Sequence, residues 1–165
     1  MKVNIRTATA DDVPAILDIV NHEILNSTSI YEYLPRNLET QLGWYHDKLK
    51  KGFPVIVAES DGIVAGFGAY GTFRERAAYR TTVEHSVYVH KDFQSRGIGS
   101  MLIKSLITMA QNEGRHVMIG GIDAGNTSSI DFHKRHGFEE SGLIREAAYK
   151  FGKWLDLSFM QKILD

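Results

Sequence analysis

The residue pattern predicts an α/β protein: one domain, residues 1–165, with a central mixed β-sheet and helices on both faces, in the order β-α-α-β-β-β-α-β-α-β-β. Three observations carry the prediction. The first half of the chain holds apolar runs joined by a tight turn, the second half alternates strand and helix patterns, and no linker, repeat or low-complexity tract divides the 165 residues. Single domains usually run to roughly 100–200 residues, so there is little room for a second.

Val3, Asn4, Ile5 and Arg6 alternate as a strand does, and Thr9, Asp11 and Asp12 offer caps before Val13, Ile16, Leu17, Val20 and Ile24 at helical spacing. A second helix is expected over 38–50, where Leu38, Leu42, Tyr45 and Leu49 form a stripe and Gly52 ends it. Residues 55–58 and 63–67 flank Ser60-Asp61-Gly62, and Asp-Gly accepts the positive φ angles of a hairpin turn, so these runs should pair antiparallel. Residues 83–89 form the next strand, leading through a glycine loop into a helix that reaches about Asn112 before Gly114. Residues 117–122 read as a buried strand and 126–136 as a short helix stopped by Gly137. Residues 140–144 and 154–163 read as the last two strands.

Composition excludes several kinds of function. Hydrophobic residues make up 43% and charged residues 24%, too apolar for a disordered chain. With 19 basic and 20 acidic residues the net charge is -1, so no global field draws nucleic acid or an anionic membrane. An anionic ligand must then be held by local chemistry. Without cysteine there is no disulfide framework, thiolate nucleophile or zinc-thiolate site, and no metal is expected. The first residues lack a signal-peptide run and no stretch approaches the roughly 18 apolar residues of a membrane span, so a cytoplasmic protein is expected.

The most informative stretch is Gln94-Ser95-Arg96-Gly97-Ile98-Gly99-Ser100, between a strand and a helix. Unpaired N–H groups and the positive dipole end at a helix start attract phosphate, glycines let it approach, and Arg96 adds fixed charge. The ordinary alternative is a strand-to-helix turn that uses glycine for tight geometry. Leu102 stands where a dinucleotide fingerprint needs its third small residue, and the Gly-Lys-Ser/Thr of a Walker loop is absent. A phosphate-bearing cofactor other than NAD or ATP is implied.

Gln94-x-x-Gly97-x-Gly99 resembles the Q/R-x-x-G-x-G/A acetyl-CoA motif of the GNAT superfamily of N-acetyltransferases. Asn126-x-x-Ser129-Ile130-x-x-His133-x-x-His136-Gly137-Phe138 resembles the superfamily's second cofactor motif. The segments Phe73–Arg76, Tyr79-Arg80, Thr82–Val89 and Lys150–Asp156 look like the phosphinothricin and methionine-sulfoximine acetyltransferase branch. The resemblance spans essentially the whole chain. It implies acetyl-CoA as co-substrate, a sheet in which one strand splays from its neighbour, and a homodimer. It also implies that Val87, Tyr88 and Val89 hold the pantetheine arm by backbone groups, with Asn126 bonding the same arm, although Asn at a helix start is also an ordinary cap.

Acetylating an amine requires a base, because alkylamines are protonated at neutral pH. Glu84 is the candidate, on the polar face of its strand with Ser86 and Tyr88, while Val83, His85, Val87 and Val89 take the other face; a solvated glutamate is the alternative. His133 stands where many relatives carry a tyrosine acid, and it is either a proton donor to the departing thiolate, an aid to amine deprotonation, or a surface residue of a short helix. Arg74, Arg76 and Arg80 precede the Glu84 strand and suit the carboxylate of an amino-acid-like acceptor, or simply form a solvated loop. Ser29, Ile30, Tyr31 and Tyr33 border the expected acceptor pocket or pack in the core, and Lys150 and Trp154 contact substrate in a dimer or pack at the carboxyl end. No nucleophile motif supports an acetyl-enzyme, so direct transfer in a ternary complex is expected. Acetylation of a protein or peptide and a non-catalytic acyl-CoA-binding module are the competing functions.

Overall fold

The computed structural model describes residues 1–165. Seven strands, β1 (Val3–Thr7), β2 (Val55–Ser60), β3 (Ile63–Thr72), β4 (Thr82–Val89), β5 (Val117–Asp123), β6 (Glu139–Lys150) and β7 (Lys153–Ile163), form one sheet. Four α-helices, α1 (Val13–Asn26), α2 (Leu38–Lys50), α3 (Ile98–Asn112) and α4 (Thr127–Arg135), cover it. No helix is long and apolar enough to cross a membrane.

The element order agrees with the sequence reading, and the spatial order adds to it. Across the sheet the strands run β1-β2-β3-β4-β5-β7-β6. Only β4 and β5 pair in parallel, and every other adjacent pair is antiparallel. The β5-α4-β6 crossover therefore leaves a strand-wide space, and β7 turns back to fill it. Sequence periodicity shows where β7 lies in the chain but not where it lies in the sheet.

Strand alternation divides the core in two. Val55 and Val57 of β2, with Phe67 and Ala69 of β3, pack under Val13, Ile16, Val20 and Ile24 of α1 and Tyr45 of α2. Ile56 and Ala58 face the other way, with Val83, Met118 and Met160, against Ile98, Leu102, Ile103 and Leu106 of α3 and Ile130 of α4. Helix α3 lies close on the sheet because a Cβ on Gly66 would meet the Tyr88 carbonyl at 2.9 Å and Leu102 at 3.2 Å.

Strand β6 runs to Lys150, well past the expected end at residue 144, and is exposed along most of its length. Its register slips twice against β7, and Glu146 takes a φ of 54° in the second irregularity. The Glu146 amide there donates to Asp156 Oδ1 at 2.8 Å. Bulges of this kind blunt a sheet edge against further pairing, and they hide the strand from a simple period-2 reading.

At the opposite edge Arg6 bridges the start of α1 to β2. Its guanidinium donates to Asp12 at 2.8 and 2.9 Å and to Glu59 at 2.7 and 2.9 Å, while Asp12 also accepts from the Thr9 amide at 2.7 Å. The hydrogen bond from Arg6 holds the Asp12 carboxyl below its ordinary value, against the opposing effect of burial. A lowered carboxylate pKa contributes stability above the unfolded value of about 4, lost as pH falls through the folded one. Asp12→Asn is expected to lower unfolding stability by about 1.5–3 kcal/mol at pH 7. Urea titrations should show the gap to wild type closing as pH falls below about 4.

Candidate active site

The sheet opens between its two parallel strands. Pairing of β4 with β5 runs only from Thr82↔Val117 to Glu84↔Ile119. Strand β4 stays bonded to β3 as far as Gly66↔Val89, and β5 stays bonded to β7 as far as Asp123↔Leu157. Each strand thus follows its outer neighbour and the two diverge, as the resemblance implied. The gap holds a cavity of about 640 Å³ lined by residues from both faces of the sheet.

Ladder geometry fixes which backbone groups of β4 face this gap. The Thr81 carbonyl accepts from Val117 on the β5 side, and the His90 amide donates to Ala65 on the β3 side. Backbone groups alternate between neighbours along a strand, so those of His85, Val87 and Val89 turn toward β5. At Val87 and Val89 the partner strand has gone, which leaves N–H and C=O groups free to bind an extended ligand. The Tyr88 side chain packs at 5.5 Å against Phe67 and also lines the cavity.

On the α1/α2 face the cavity is lined by Glu84, Thr28, Ser29, Tyr31, Phe73, Arg74, Leu157 and Phe159. Glu84 sits at the last paired position before the strands part. Burial pushes its carboxyl above the ordinary value, the charge of Lys48 pulls it back, and no hydrogen bond contributes. A half-buried carboxylate left free in this way suits proton acceptance. Beside it Arg74 lies over Phe73 at 5.6 Å, and the Phe73 ring meets Phe159 edge-on at 6.3 Å.

On the α3/α4 face the cavity is lined by His85, Asn126, Ser129, Phe132 and His133. Asn126 Oδ1 accepts from the Ser129 amide at 3.2 Å and from Ser128 Oγ at 3.0 Å. Its cap role uses the oxygen and leaves the amide NH₂ free for a ligand, so the two readings of this residue are compatible. His133 is 6% exposed, with Nδ1 2.7 Å from the Ser129 carbonyl and Nε2 3.1 Å from His85 Nε2. A carbonyl only accepts, so His133 carries its proton on Nδ1 and, in the neutral pair, His85 Nε2–H donates to His133 Nε2. Burial lowers the pKa of both rings and keeps them neutral. His85 Nδ1 is buried and has no partner.

His85 is the residue that sequence reasoning missed. Alternation assigned it to the apolar face opposite Glu84, and it does lie on that face, but the parted strands open both faces into one cavity. The same opening brings in Gly120 and Gly121, where a Cβ would lie 3.0 Å from His85 Nε2 and 3.3 Å from Glu84 Oε2 respectively. No short-range signal marks residues joined by such a gap.

The glycine loop lies at the rim. Gly97 caps α3 with a φ of 78°, Ser95 has a φ of 60°, and Gln94, Ser95, Arg96 and Gly97 are exposed. Arg96 lies over Phe93 at 5.4 Å. A Cβ on Gly99 would lie 3.4 Å from Phe132 and 3.7 Å from Val89, which ties the loop to the cavity wall, and Ser100 Oγ lies 3.0 Å from His136 Nε2. Ile98 is buried under the sheet, so only its backbone is placed for binding.

Five acceptor-side candidates lie outside the cavity. Arg76 and Arg80 stay exposed outside the cavity, in a separate hollow of about 380 Å³ with Lys51 and Arg115 that Arg74 also borders. The Ile30 side chain packs against the α1/α2 core while its neighbours Ser29 and Tyr31 line the cavity. Tyr33 points outward and donates to the Tyr149 carbonyl. Trp154 is 62% exposed and stacks edge-on with Tyr149 at 5.0 Å.

A cavity through a parted sheet, with a glycine-rich helix start beside it and a free carboxylate on the opposite face, suits a transferase that brings a phosphate-bearing acyl carrier and an acceptor together. The chain belongs to the acetyltransferase (GNAT) family, whose model matches residues 19–138, and it is an acetyl-CoA-dependent N-acetyltransferase. It is 42% identical to an L-methionine sulfoximine/L-methionine sulfone acetyltransferase of Pseudomonas aeruginosa, over 100% of this chain and 96% of the relative. It is 35% identical to a phosphinothricin N-acetyltransferase of Alcaligenes faecalis, over 98% and 82%. A Salmonella typhimurium acetyltransferase solved with acetyl-CoA superposes with a TM-score of 0.96 at 39% identity, covering 100% of this chain and 95% of that one.

Proposed function

We propose that this enzyme acetylates the α-amine of a small amino-acid-like acceptor of the methionine sulfoximine, methionine sulfone or phosphinothricin type. The observation that carries the proposal is the free, half-buried Glu84 carboxylate at the point where β4 leaves β5, with Arg74 on the same side of the cavity. The names of the relatives support the acceptor class.

Acetyl-CoA, when bound, supplies the acetyl group as a thioester. Its arm suits the free backbone edge at Val87 and Val89 and the Asn126 amide, and its phosphates suit the N–H groups at residues 97–100. Arg74 pairs with the acceptor carboxylate and so sets the amine toward Glu84. Glu84 takes the ammonium proton and the freed amine attacks the thioester carbonyl; the carbon–sulfur bond then breaks with its electron pair leaving on sulfur, and the second N–H proton, shed as the amide forms, goes to the departing thiolate. His133 has both ring nitrogens engaged, on the Ser129 carbonyl and on His85, and in this reading it lines the cofactor side of the cavity. Tyr88 lines the cavity and packs against Phe67, which holds the β4 edge in place.

Acetyl-CoA consumption over a panel of amines, including a peptide with a free amino terminus, tests the proposal. Amino-acid-like acceptors should gain the mass of one acetyl group. Folded protein that binds CoA and turns over none of them, or prefers the peptide, overturns it. Arg74→Ala is expected to raise the acceptor KM by about 10–100-fold, the loss of one charge-assisted hydrogen-bonded pair, whereas Arg76→Ala and Arg80→Ala leave it nearly unchanged. Equal effects at all three positions would remove Arg74 from carboxylate recognition.

The protein is further proposed to act as a homodimer in the cytoplasm. Leu143, Ile144, Tyr149 and Trp154 on the exposed β6–β7 hairpin support association. Light scattering after size exclusion should give twice the chain mass, and a monomer at all concentrations would sink the dimer.

A further inference from the structure

Lys150 ends β6 just before the turn into β7. It is 2% exposed, and its ammonium donates to the Ser27 carbonyl at 2.8 Å and the Ile30 carbonyl at 2.6 Å. The Phe151 ring lies 5.0 Å away. Burial lowers its pKa, and Glu23 and Glu32 favour its charge. Neither a substrate contact nor simple packing describes this residue.

Burying an ammonium is costly, and a neutral side chain of similar length would fill the space without that cost. The hydrogen bonds are therefore what distinguishes lysine here, and both end on the same segment. Residues 27–37, between α1 and α2, contain no helix or strand, so side-chain tethers set their path. Near its start and middle these tethers are Lys150, Thr28 Oγ1 donating to Asp123 Oδ2 at 2.5 Å, and the Tyr33 hydroxyl on the Tyr149 carbonyl, while the Asn21 side chain holds the backbone of Arg36 at its far end. The segment supplies Thr28, Ser29 and Tyr31 to the cavity wall on the Glu84 side.

We infer that Lys150 is a positioning residue that sets the acceptor wall by holding the Ser27 and Ile30 carbonyls, and so governs acceptor fit without touching substrate. The inference rests on the reading that this wall receives the acceptor. Lys150→Met keeps an unbranched side chain, one atom shorter, and removes every donor. It is expected to lower kcat/KM for the acceptor by about 100-fold, the effect of an ångström-scale misplacement, with the acetyl-CoA KM unchanged because the β4 edge and glycine loop are untouched. Amide hydrogen exchange should accelerate over residues 27–33 and stay as in wild type over 98–112. Lys150→Arg, which keeps donors, should recover part of the loss.

A parallel fall in acceptor and acetyl-CoA parameters, or unchanged exchange over 27–33, would overturn the inference. If Lys150→Met does not fold, Lys150→Gln retains an NH₂ donor group on a shorter side chain and should shift the same readouts in the same direction by less. Wild-type protein that acetylates no amine defeats the functional reading, while the exchange measurement still decides whether Lys150 holds the segment.

Discussion

Replacing Glu84 by glutamine is expected to lower kcat/KM for the acceptor by about 10²–10⁴-fold, the usual contribution of a positioned general base, while acetyl-CoA affinity stays near wild type. Glutamine matches the carboxylate in shape and cannot accept the ammonium proton. The wild-type pH profile should fall on the acid side through a pKa above the ordinary glutamate value, since burial raises it. In the variant that limb should vanish. Stability should move the opposite way to activity. A carboxyl whose folded pKa is raised contributes stability below its unfolded value of about 4.3, lost as pH rises through the folded value. Ionised Glu84 therefore destabilises the fold at neutral pH, and Glu84→Gln should melt at or above the wild-type temperature at pH 7 and lose that margin below about pH 4. Full turnover in the variant would remove Glu84 from the chemistry. A regulatory acyl-CoA-binding module would show no turnover in either protein.

Gly97 should be the position where a single side chain most damages acetyl-CoA binding. It takes a φ of 78° at the start of α3, and nothing lies within 4 Å of where its Cβ would project. That open space is where a phosphate would meet the first amides of the helix. Two substitutions separate strain from obstruction. Asparagine tolerates the left-handed region, whereas valine adds strain of about 1–2 kcal/mol. Both should weaken acetyl-CoA binding by about 10–100-fold, corresponding to one charge-assisted hydrogen bond of roughly 1.5–3 kcal/mol, and only Gly97→Val should also lower the melting temperature. Calorimetric titration with acetyl-CoA measures the first effect. Wild-type affinity in Gly97→Asn would make this loop an ordinary strand-to-helix turn.

Local chemistry is legible along this chain because it acts over a few residues. The stripe of α1, the Asp61-Gly62 hairpin and the glycine loop before α3 each follow from spacings of two to four positions, and each lies where the pattern placed it. The same alternation puts Glu84 on its face of β4, and likeness to known acetyltransferases makes it the candidate base. The arginine segment shows the limit. Three arginines within seven positions look equivalent in sequence, yet the turn after β3 leaves Arg74 at the cavity and carries Arg76 and Arg80 past it.

The sequence by itself determined the order of helices and strands, the placing of helices on both faces of the sheet and the glycine-rich start of α3, though not the full length of β6, since propensity, periodicity and glycine geometry are local properties. Only the tertiary structure decided that β7 fills the space between β5 and β6, that His85 and His133 meet across the sheet opening, and that Lys150 holds a loop 120 positions away. Those features depend on contacts between residues distant in the chain, where a strand that follows one neighbour must leave the other, and no pattern within a single segment encodes that choice.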